Sequence, residues 1–590
     1  MSLKSLAPDW GLDNEERWGA TVRYTRQQLL AVAASAAVCG TALAQVQTRL
    51  VDAPAQPKAA YRLWPSRVPA DCPFPKSEAL VNVGFTGRHA EYTHADTWYP
   101  TWASDGNLYS PWTDGNVNGL DSSSAGERAT TGYATILGDD PLHLAVTQQA
   151  VYASSPAPFQ SRYPCGSLVY NGVWYYGTYC LGGGAVTPRG GTTYNWPWLG
   201  AFVGFRTSTD FGKTWTQTPC TPARPLFGES GLNGEPVKIG APHVVDFGKN
   251  LEHSPDGKAY LVAHGASDGK ERRFGYNSWI TGDEIYLLRV APSVANMNDA
   301  SKYEFWDGAG WTNDFKKIRP IAAWRDHLGC VTMTYNAPLK TYLLCVTDGG
   351  TTAGYFDTAI LESSAISGPF RLVTHMKRFG EQAYFVNVPS KFISGDGRTA
   401  WLCYAANFAG DWDGNRIRSN PPGSRYGLCL QEVKLLTPGD PLPPPTALEG
   451  DDNVARLATV TASSVHPDYS AEGAVDGVVD GFPGEIRHEW ATNGERETAM
   501  LRLTWSEAQT IDRVWLFDRP NALDQVAAGM LVFSDGSTLP VGALPDDAAK
   551  GVELRFPAKQ VTWLIFAVSG VKKDSPNIGL SEIAVFRAKP

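Results

Sequence analysis

One hydrophobic phrase recurs along the first three quarters of the chain: a short apolar stretch, a turn of Asp-Gly or Asn-Gly type, then an alternating aromatic stretch. It stands at Asp105-Gly106-Asn107-Leu108-Tyr109, Asn171-Gly172-Val173-Trp174-Tyr175, Asp256-Gly257-Lys258-Ala259-Tyr260, Tyr335-Asn336 through Tyr342, and Asp396-Gly397-Arg398-Thr399-Ala400-Trp401. Such turns flanked by period-two apolar runs predict β-hairpins. Each later repeat is followed by a further strand pattern, as in Phe202–Thr207, Glu284–Arg289, Thr358–Ser363 and Leu428–Val433. Hairpin plus further strand, at a spacing of roughly 60 to 85 residues, predicts radial four-stranded sheets. Five phrases predict five blades.

The pattern stops at Thr437-Pro-Gly-Asp-Pro-Leu-Pro-Pro-Pro-Thr446, whose prolines cannot donate to a ladder. An extended linker is predicted over 437–450. The reading is therefore all-β: a five-bladed β-propeller over 46–436, the linker, and a β-sandwich over 451–590.

Near the start, Leu29 to Leu43 is apolar but too short to cross a bilayer, follows Arg23 and Arg26, and ends in Ala42-Leu43-Ala44. Residues 1–44 are expected to be a signal peptide, with a secreted or periplasmic protein and no membrane insertion. Thr25-Arg26-Gln27-Gln28-Leu29-Leu30 resembles a twin-arginine signal with its second arginine replaced.

Composition narrows the partners. The 590 residues are 43% apolar, 19% charged and 11% aromatic, with 59 Gly, 41 Pro and 20 Trp, which excludes wholesale disorder and coiled coil. The formal charge is −9 and no basic run is dense enough to neutralise a row of phosphates, so nucleic acid is excluded as the expected partner. A negative average field also disfavours a polyanion unless a local Arg cluster overrides it. A monomer is expected. Beyond Cys39, eight cysteines remain: Cys72, Cys165, Cys180, Cys220, Cys330, Cys345, Cys403 and Cys429. In an exported chain Cys165/Cys180 and Cys330/Cys345, each flanking a hairpin turn, are expected as cross-strand disulfides, the alternative being small buried hydrophobes.

Ser208-Thr209-Asp210-Phe211-Gly212-Lys213-Thr214-Trp215 resembles the Asp box of sialidase-like propellers, a structural hairpin motif. Ser367-Gly368-Pro369-Phe370 resembles a turn of five-bladed glycosidases. Beyond the linker, Asn453-Val454-Ala455, Ala474-Val475-Asp476-Gly477, Trp490 and Gly579-Leu580-Ser581-Glu582-Ile583 resemble the discoidin-like, galactose-binding-like sandwich. That resemblance implies an accessory carbohydrate-binding module and a structural Ca2+ near Asp476; no other cofactor is required.

The innermost strand of each blade lines a propeller's funnel, so polar residues just before each hairpin are the candidates for chemistry. They are His94, Asp96, Trp98 and Trp102 before the first hairpin, His243 and Asp246 before the third, Arg325, Asp326 and His327 before the fourth, and Glu381 before the fifth. Glycoside hydrolysis needs one protonated carboxyl and one ionised carboxylate, and crowding them in an aromatic funnel separates their pKa values. The arrangement resembles the five-bladed arabinanase, β-xylosidase and fructosidase type. That resemblance implies Asp96 as base, Asp246 as the orienting Asp, and Glu381 or Asp326 as acid, with His94, Trp98, His243, Arg325 and His327 as substrate-binding residues. No metal ligand is assigned in the funnel, and a divalent cation there or in the sandwich is left open.

Two other classes use the same hollow. A polysaccharide lyase would take its base and carboxylate-neutralising groups from His94, His243, His264, His327, Tyr335 and Arg325. A non-catalytic glycan-binding protein would use the propeller as a platform.

Overall fold

The computed structural model describes residues 46–589 apart from 55–60, 65–67, 183–197, 269–277, 350–355, 408–419, 442–445, 468, 483–485 and 548. The expected signal segment 1–44 lies outside the described residues. Among the described residues the chain is all-β, its strands joined by turns and short 3-10 segments. No helix there is long and apolar enough to cross a membrane.

The chain forms two compact units, Pro57–Pro444 and a second that combines the chain up to Gln56 with Pro445–Pro590. In the first unit, five antiparallel sheets follow the five predicted phrases in order and make a propeller-like arrangement. The first sheet runs His94–Asp96, Leu108–Val117, Thr130–Leu137, Ala145–Ala153; the second Ser161–Tyr170, Val173–Gly182, Trp198–Ser208. The third is built on His243–Val244, Ala259–Gly265 and Glu284–Val290, and the fourth on Gly329–Asn336, Thr341–Asp348, Asp357–Ser363 and Arg371–Met376. The fifth sheet is closed by a strand from the front of the chain. Tyr384–Asn387, Thr399–Ala405 and Leu428–Leu436 are joined by Asn82–Tyr92, with Leu428 opposite Tyr92 and Leu436 opposite Asn82.

Aromatic wedges fill the gaps between sheets, as the tryptophan content requires. Trp174, fully buried, lies 5.2 Å from Tyr109, 5.8 Å from Tyr133 and 5.3 Å from Trp215. Edge-to-face packing of this kind adds about 0.5–1.5 kcal/mol per pair beyond area burial. The Asp box closes locally. Asp210 accepts from Thr214 N (2.8 Å) and Thr214 Oγ1 (2.7 Å), Ser208 Oγ accepts from Gly212 N (2.8 Å), and Gly212 takes the φ of 91° that only glycine adopts freely.

The expected disulfides are absent, because all eight described cysteines are free. Strand register explains it: Thr332, not Cys330, stands opposite Cys345, and Arg162, not Cys165, stands opposite Cys180. Six of the eight are buried, as small hydrophobes.

In the second unit the main sheet runs Thr459–Ala462, Met500–Phe517, Lys550–Val571, Val526–Phe533, Thr538–Val541, with Glu582–Arg587 on Met500–Phe517. Its core holds Trp490, Leu503, Leu516, Leu531, Leu564 and Phe566, none more than 1% exposed. One boundary differs from expectation. The strand Gln47–Asp52, read from sequence as the start of the propeller, pairs along Lys550–Val571, from Gln47 opposite Arg555 to Asp52 opposite Lys550. The linker is not extended throughout: Asp440 accepts from Thr437 N at 2.6 Å, and Glu449 N donates to Thr446 O at 3.1 Å.

Candidate functional site

Asp96 ends the first inner strand, opposite Thr113 of the neighbouring strand. Backbone geometry is unusual on both sides. Thr93 and Thr97 have φ of 63° and 66°, and Asp114, one residue beyond Thr113, has φ of 46°. A Cβ on Gly115 would lie 2.1 Å from His94 O, so only glycine lets the two strands approach this closely. Left-handed non-glycine residues cost about 1–3 kcal/mol each and gather where a site must be held in one shape.

The approach brings buried Asp96 and half-buried Asp114 onto adjacent strands. Asp96 Oδ1 accepts from Thr97 Oγ1 (2.7 Å) and Oδ2 from Tyr384 Oη (2.9 Å). Asp114 accepts from Ser124 N and Ser124 Oγ, both at 2.6 Å, and its carbonyl accepts from Tyr426 Oη at 2.6 Å. Burial, and then the charge of Asp114, push the Asp96 pKa well above the ordinary carboxylate range, and burial raises that of Asp114. Phenols surround them: Tyr99, Tyr163, Tyr179, Tyr384 and Tyr426 are all raised, chiefly by burial, and each feels the charge of Asp96. Trp279 packs edge-on against Tyr384 at 5.4 Å, and Phe385 lies 5.1 Å from Tyr99.

The structure gathers some predicted residues here and disperses others. Glu381 is three residues before Tyr384, buried, with φ of 60°, and its carbonyl accepts from Phe356 N at 2.9 Å. Phe356 packs edge-on to Tyr384 at 6.3 Å, which puts Glu381 at the same end of the sheets as Asp96. His94 is exposed, its ring 5.4 Å from that of Tyr426.

Asp246 lies at the opposite, hairpin-turn end. It accepts from Ser390 N (2.7 Å), Ser390 Oγ (2.6 Å) and Gly248 N (3.0 Å), and its own N–H donates to Met333 O (3.0 Å), stapling the third, fourth and fifth sheets. His243 is packed between strands and 5.6 Å from Tyr99; Met333 N donates to its Nδ1 at 3.4 Å, and burial lowers its pKa to about 3. Trp98 is core, 1% exposed, with Nε1 donating to Ala95 O, so it offers no face to a sugar. Asp326 sits in a turn, φ 65°, with its N–H donating to Asp283. Arg325 is exposed beside it.

His327 belongs to a separate carboxylate group. Its Nδ1 faces Asp348 Oδ2 at 2.5 Å, its Nε2 faces Asp71 Oδ2 at 3.0 Å, and its ring stacks on Trp324 at 4.2 Å. Burial opposes its charge, but the hydrogen bond and charge of Asp348, followed by Asp71, raise its pKa. His264 is buried against Ser278 O, and Tyr335 lies beside Asp246 at the hairpin end. The six residues of the lyase set are therefore scattered.

Sequence reasoning missed Asp114, Tyr163, Tyr384 and Tyr426. Asp114 follows its hairpin instead of preceding it, but its spacing to Gly115 was a readable signal of close strand approach.

In the sandwich, Asp476 Oδ2 bonds His488 Nδ1 at 2.6 Å, and Oδ1 accepts from Val478 N. Glu582 Oε2 accepts from Gly477 N, while Oε1 is buried with no hydrogen-bond partner among the described residues. Burial raises both carboxyls, and the charge of Asp476 adds to that on Glu582. Among the described residues no group of three or more His, Cys, Asp or Glu is placed to hold a metal ion, so these two carboxyls do not by themselves make the oxygen-rich set that Ca2+ takes.

A family profile described as a domain of unknown function (DUF7402) matches residues 453–586. No curated protein matches the chain. Among solved structures, one titled "Glycoside hydrolase" is 13% identical, covers 84% of this chain and 98% of its own, and gives a TM-score of 0.29. The lectin domain of lectinolysin complexed with Lewis b antigen is 22% identical over 24% of this chain and 99% of its own, with a TM-score of 0.21. The family 32 carbohydrate-binding module of C. perfringens NanJ, in complex with galactose, is 13% identical over 23% of this chain and 98% of its own, with a TM-score of 0.20. At these scores the chemistry has to be read from the side chains.

Proposed function

We propose that the propeller-like unit is a glycoside hydrolase of an exported protein, in which Asp96 and Asp114 divide the acid and base roles. The observation that supports this reading is the pair of carboxyls on adjacent strands, Asp96 buried and raised chiefly by burial and then by the charge of Asp114, among a group of phenols. Two carboxyls whose environments push their pKa values apart offer a donor for the leaving oxygen and an acceptor for water at the same pH. Ser124 donates twice to Asp114, which favours its ionised form. Asp96, facing that charge in a drier setting, holds the proton and is the acid. This reverses the role expected for Asp96 from resemblance alone. Glu381, at the same end, is the further carboxyl that can meet substrate.

The sandwich is assigned to holding the protein on a glycan, which raises effective substrate concentration.

Incubation with a panel of neutral and uronic-acid polysaccharides tests the reading. New reducing ends without an unsaturated, ultraviolet-absorbing product support hydrolysis. The unsaturated product would replace it with elimination, and binding without turnover on every substrate would replace it with a glycan-binding platform.

A further inference from the structure

We propose that the sheet face of the sandwich carrying Arg49, Arg513, Arg555 and Trp515 binds an anionic polysaccharide of the polyuronate class. The register builds this face from three strands. Arg49 and Trp515 both stand opposite Glu553, one on each side, and in the adjacent row Arg555 stands between Gln47 and Arg513. Paired residues on neighbouring strands share a face, with the strands about 4.8 Å apart.

At the centre is a carboxylate with no exposure. Glu553 accepts from Arg49 Nε (2.6 Å) and Nη2 (3.2 Å), Arg555 Nε (2.6 Å) and Trp515 Nε1 (2.6 Å). These donors hold its pKa below the usual range against the opposing effect of burial. Within these two rows one carboxylate thus serves three guanidinium groups; Glu582, opposite Phe517 in the next row, is a second buried carboxyl. Arg513 is not among the donors to Glu553. Its Cζ lies 4.6 Å over the Phe586 ring, and its Nε has no hydrogen-bond partner among the described residues. Trp515 packs 4.9 Å from Phe586, so aromatic surface lies between the charges.

The outer members are open to solvent, the side chain of Arg49 being 61% exposed and that of Arg555 38%. In a chain of formal charge −9 this is a local reversal of sign, and it commits the face to an anion. The planar guanidinium fork favours carboxylate, and the grip of Arg49 on Glu553 through two nitrogens is the geometry a uronate would receive. Several forks in fixed register on a rigid sheet favour a repeating ligand over a single ion. The face exists only because the strand Gln47–Asp52 supplies Arg49.

The test is affinity electrophoresis of the whole protein in gels holding polygalacturonate, a neutral galactan or double-stranded DNA, at low and high salt. Polygalacturonate is expected to retard the protein more than either comparator, with the effect fading at high salt. Arg513→Gln should weaken binding by about threefold and Arg49→Gln with Arg513→Gln by about tenfold or more. The thermal midpoint of Arg513→Gln should stay near that of the parent, while the double variant, which loses two donors to buried Glu553, is compared on its folded fraction. Arg513→Gln breaks no ion pair, so it keeps the test alive if the double variant fails to fold. Asp96→Asn should bind as the parent does, which separates this proposal from the catalytic one. No retardation by polygalacturonate, equal retardation by galactan or by DNA, or undiminished binding by the folded variants would overturn it.

Discussion

Tyr384, on the inner strand of the sheet that the N-terminal segment closes, donates its phenol to Asp96 Oδ2 at 2.9 Å. The contact joins the first and last sheets of the unit at the acid pair. Ring closure and the placing of the carboxyl are thereby one event. Any loosening of the closing strand Asn82–Tyr92 would be felt at Asp96.

Asp96→Asn and Asp114→Asn are each expected to lower turnover by about 10²–10⁴-fold, as for removal of an acid or base, with the fold retained. Tyr384→Phe should lose about tenfold in kcat with little change in KM. Since that phenol's hydrogen bond lowers the Asp96 pKa, its removal should move the alkaline limb of the pH–rate profile upward. Steady-state kinetics across pH on any substrate found in the panel would check all three, and a fully active Asp96→Asn would remove the site.

Asp518 gives the sandwich a pH dependence of definite sign. Its carboxyl is buried and raised to about 7, although Val526 N and Arg519 N both donate to it. The folded form therefore holds a proton that the unfolded chain releases near pH 4, an ordinary Asp having a pKa of about 3.9. Its stabilising contribution is complete below that pH and is lost as pH rises through about 7. The magnitude is on the order of 4 kcal/mol at most. Denaturant unfolding at pH 5 and pH 8 should show a fall in the parent that is smaller in Asp518→Asn.

Asp246→Ala removes the staple of three hydrogen bonds to Ser390 and Gly248. A loss of about 2–4 kcal/mol of stability is expected, with kcat per folded molecule unchanged. A selective loss of kcat in a stable variant would instead return Asp246 to the catalytic set.

With all eight described cysteines free, reductant should shift the thermal midpoint by less than about 1 °C, since a lost disulfide would cost about 2–5 kcal/mol. Thiol titration of the unfolded chain should find every one of them reactive.

Much of the fold was legible because its punctuation is local. The turns at Asp105-Gly106, Asn171-Gly172, Asp256-Gly257 and Asp396-Gly397 fix hairpins through nearest neighbours, and each hairpin stands where expected. The site was less legible, for a geometric reason. Asp96 and Asp246 stand at similar distances before their hairpin turns, yet they occupy opposite ends. In the third sheet Gly248 and the 3-10 turn Lys249–Leu251 fill most of the interval, leaving Asp246 beside the turn. Asp114 belongs to a second strand, and only a three-dimensional register puts it next to Asp96. The disulfides failed for the same kind of reason: flanking a turn places two cysteines on neighbouring strands without placing them opposite each other.

The sandwich is written in two pieces, with the whole propeller-like unit inserted between its first strand and the remainder. During synthesis Gln47–Asp52 emerges early and must wait for Lys550–Val571 before it has a partner. A product truncated by a premature stop would leave that strand with unsatisfied backbone donors and acceptors, a mark that proteases and chaperones can read. Only a full-length translation product can conceal it, so completion of the sandwich certifies that the propeller-like unit ahead of it has been made in full.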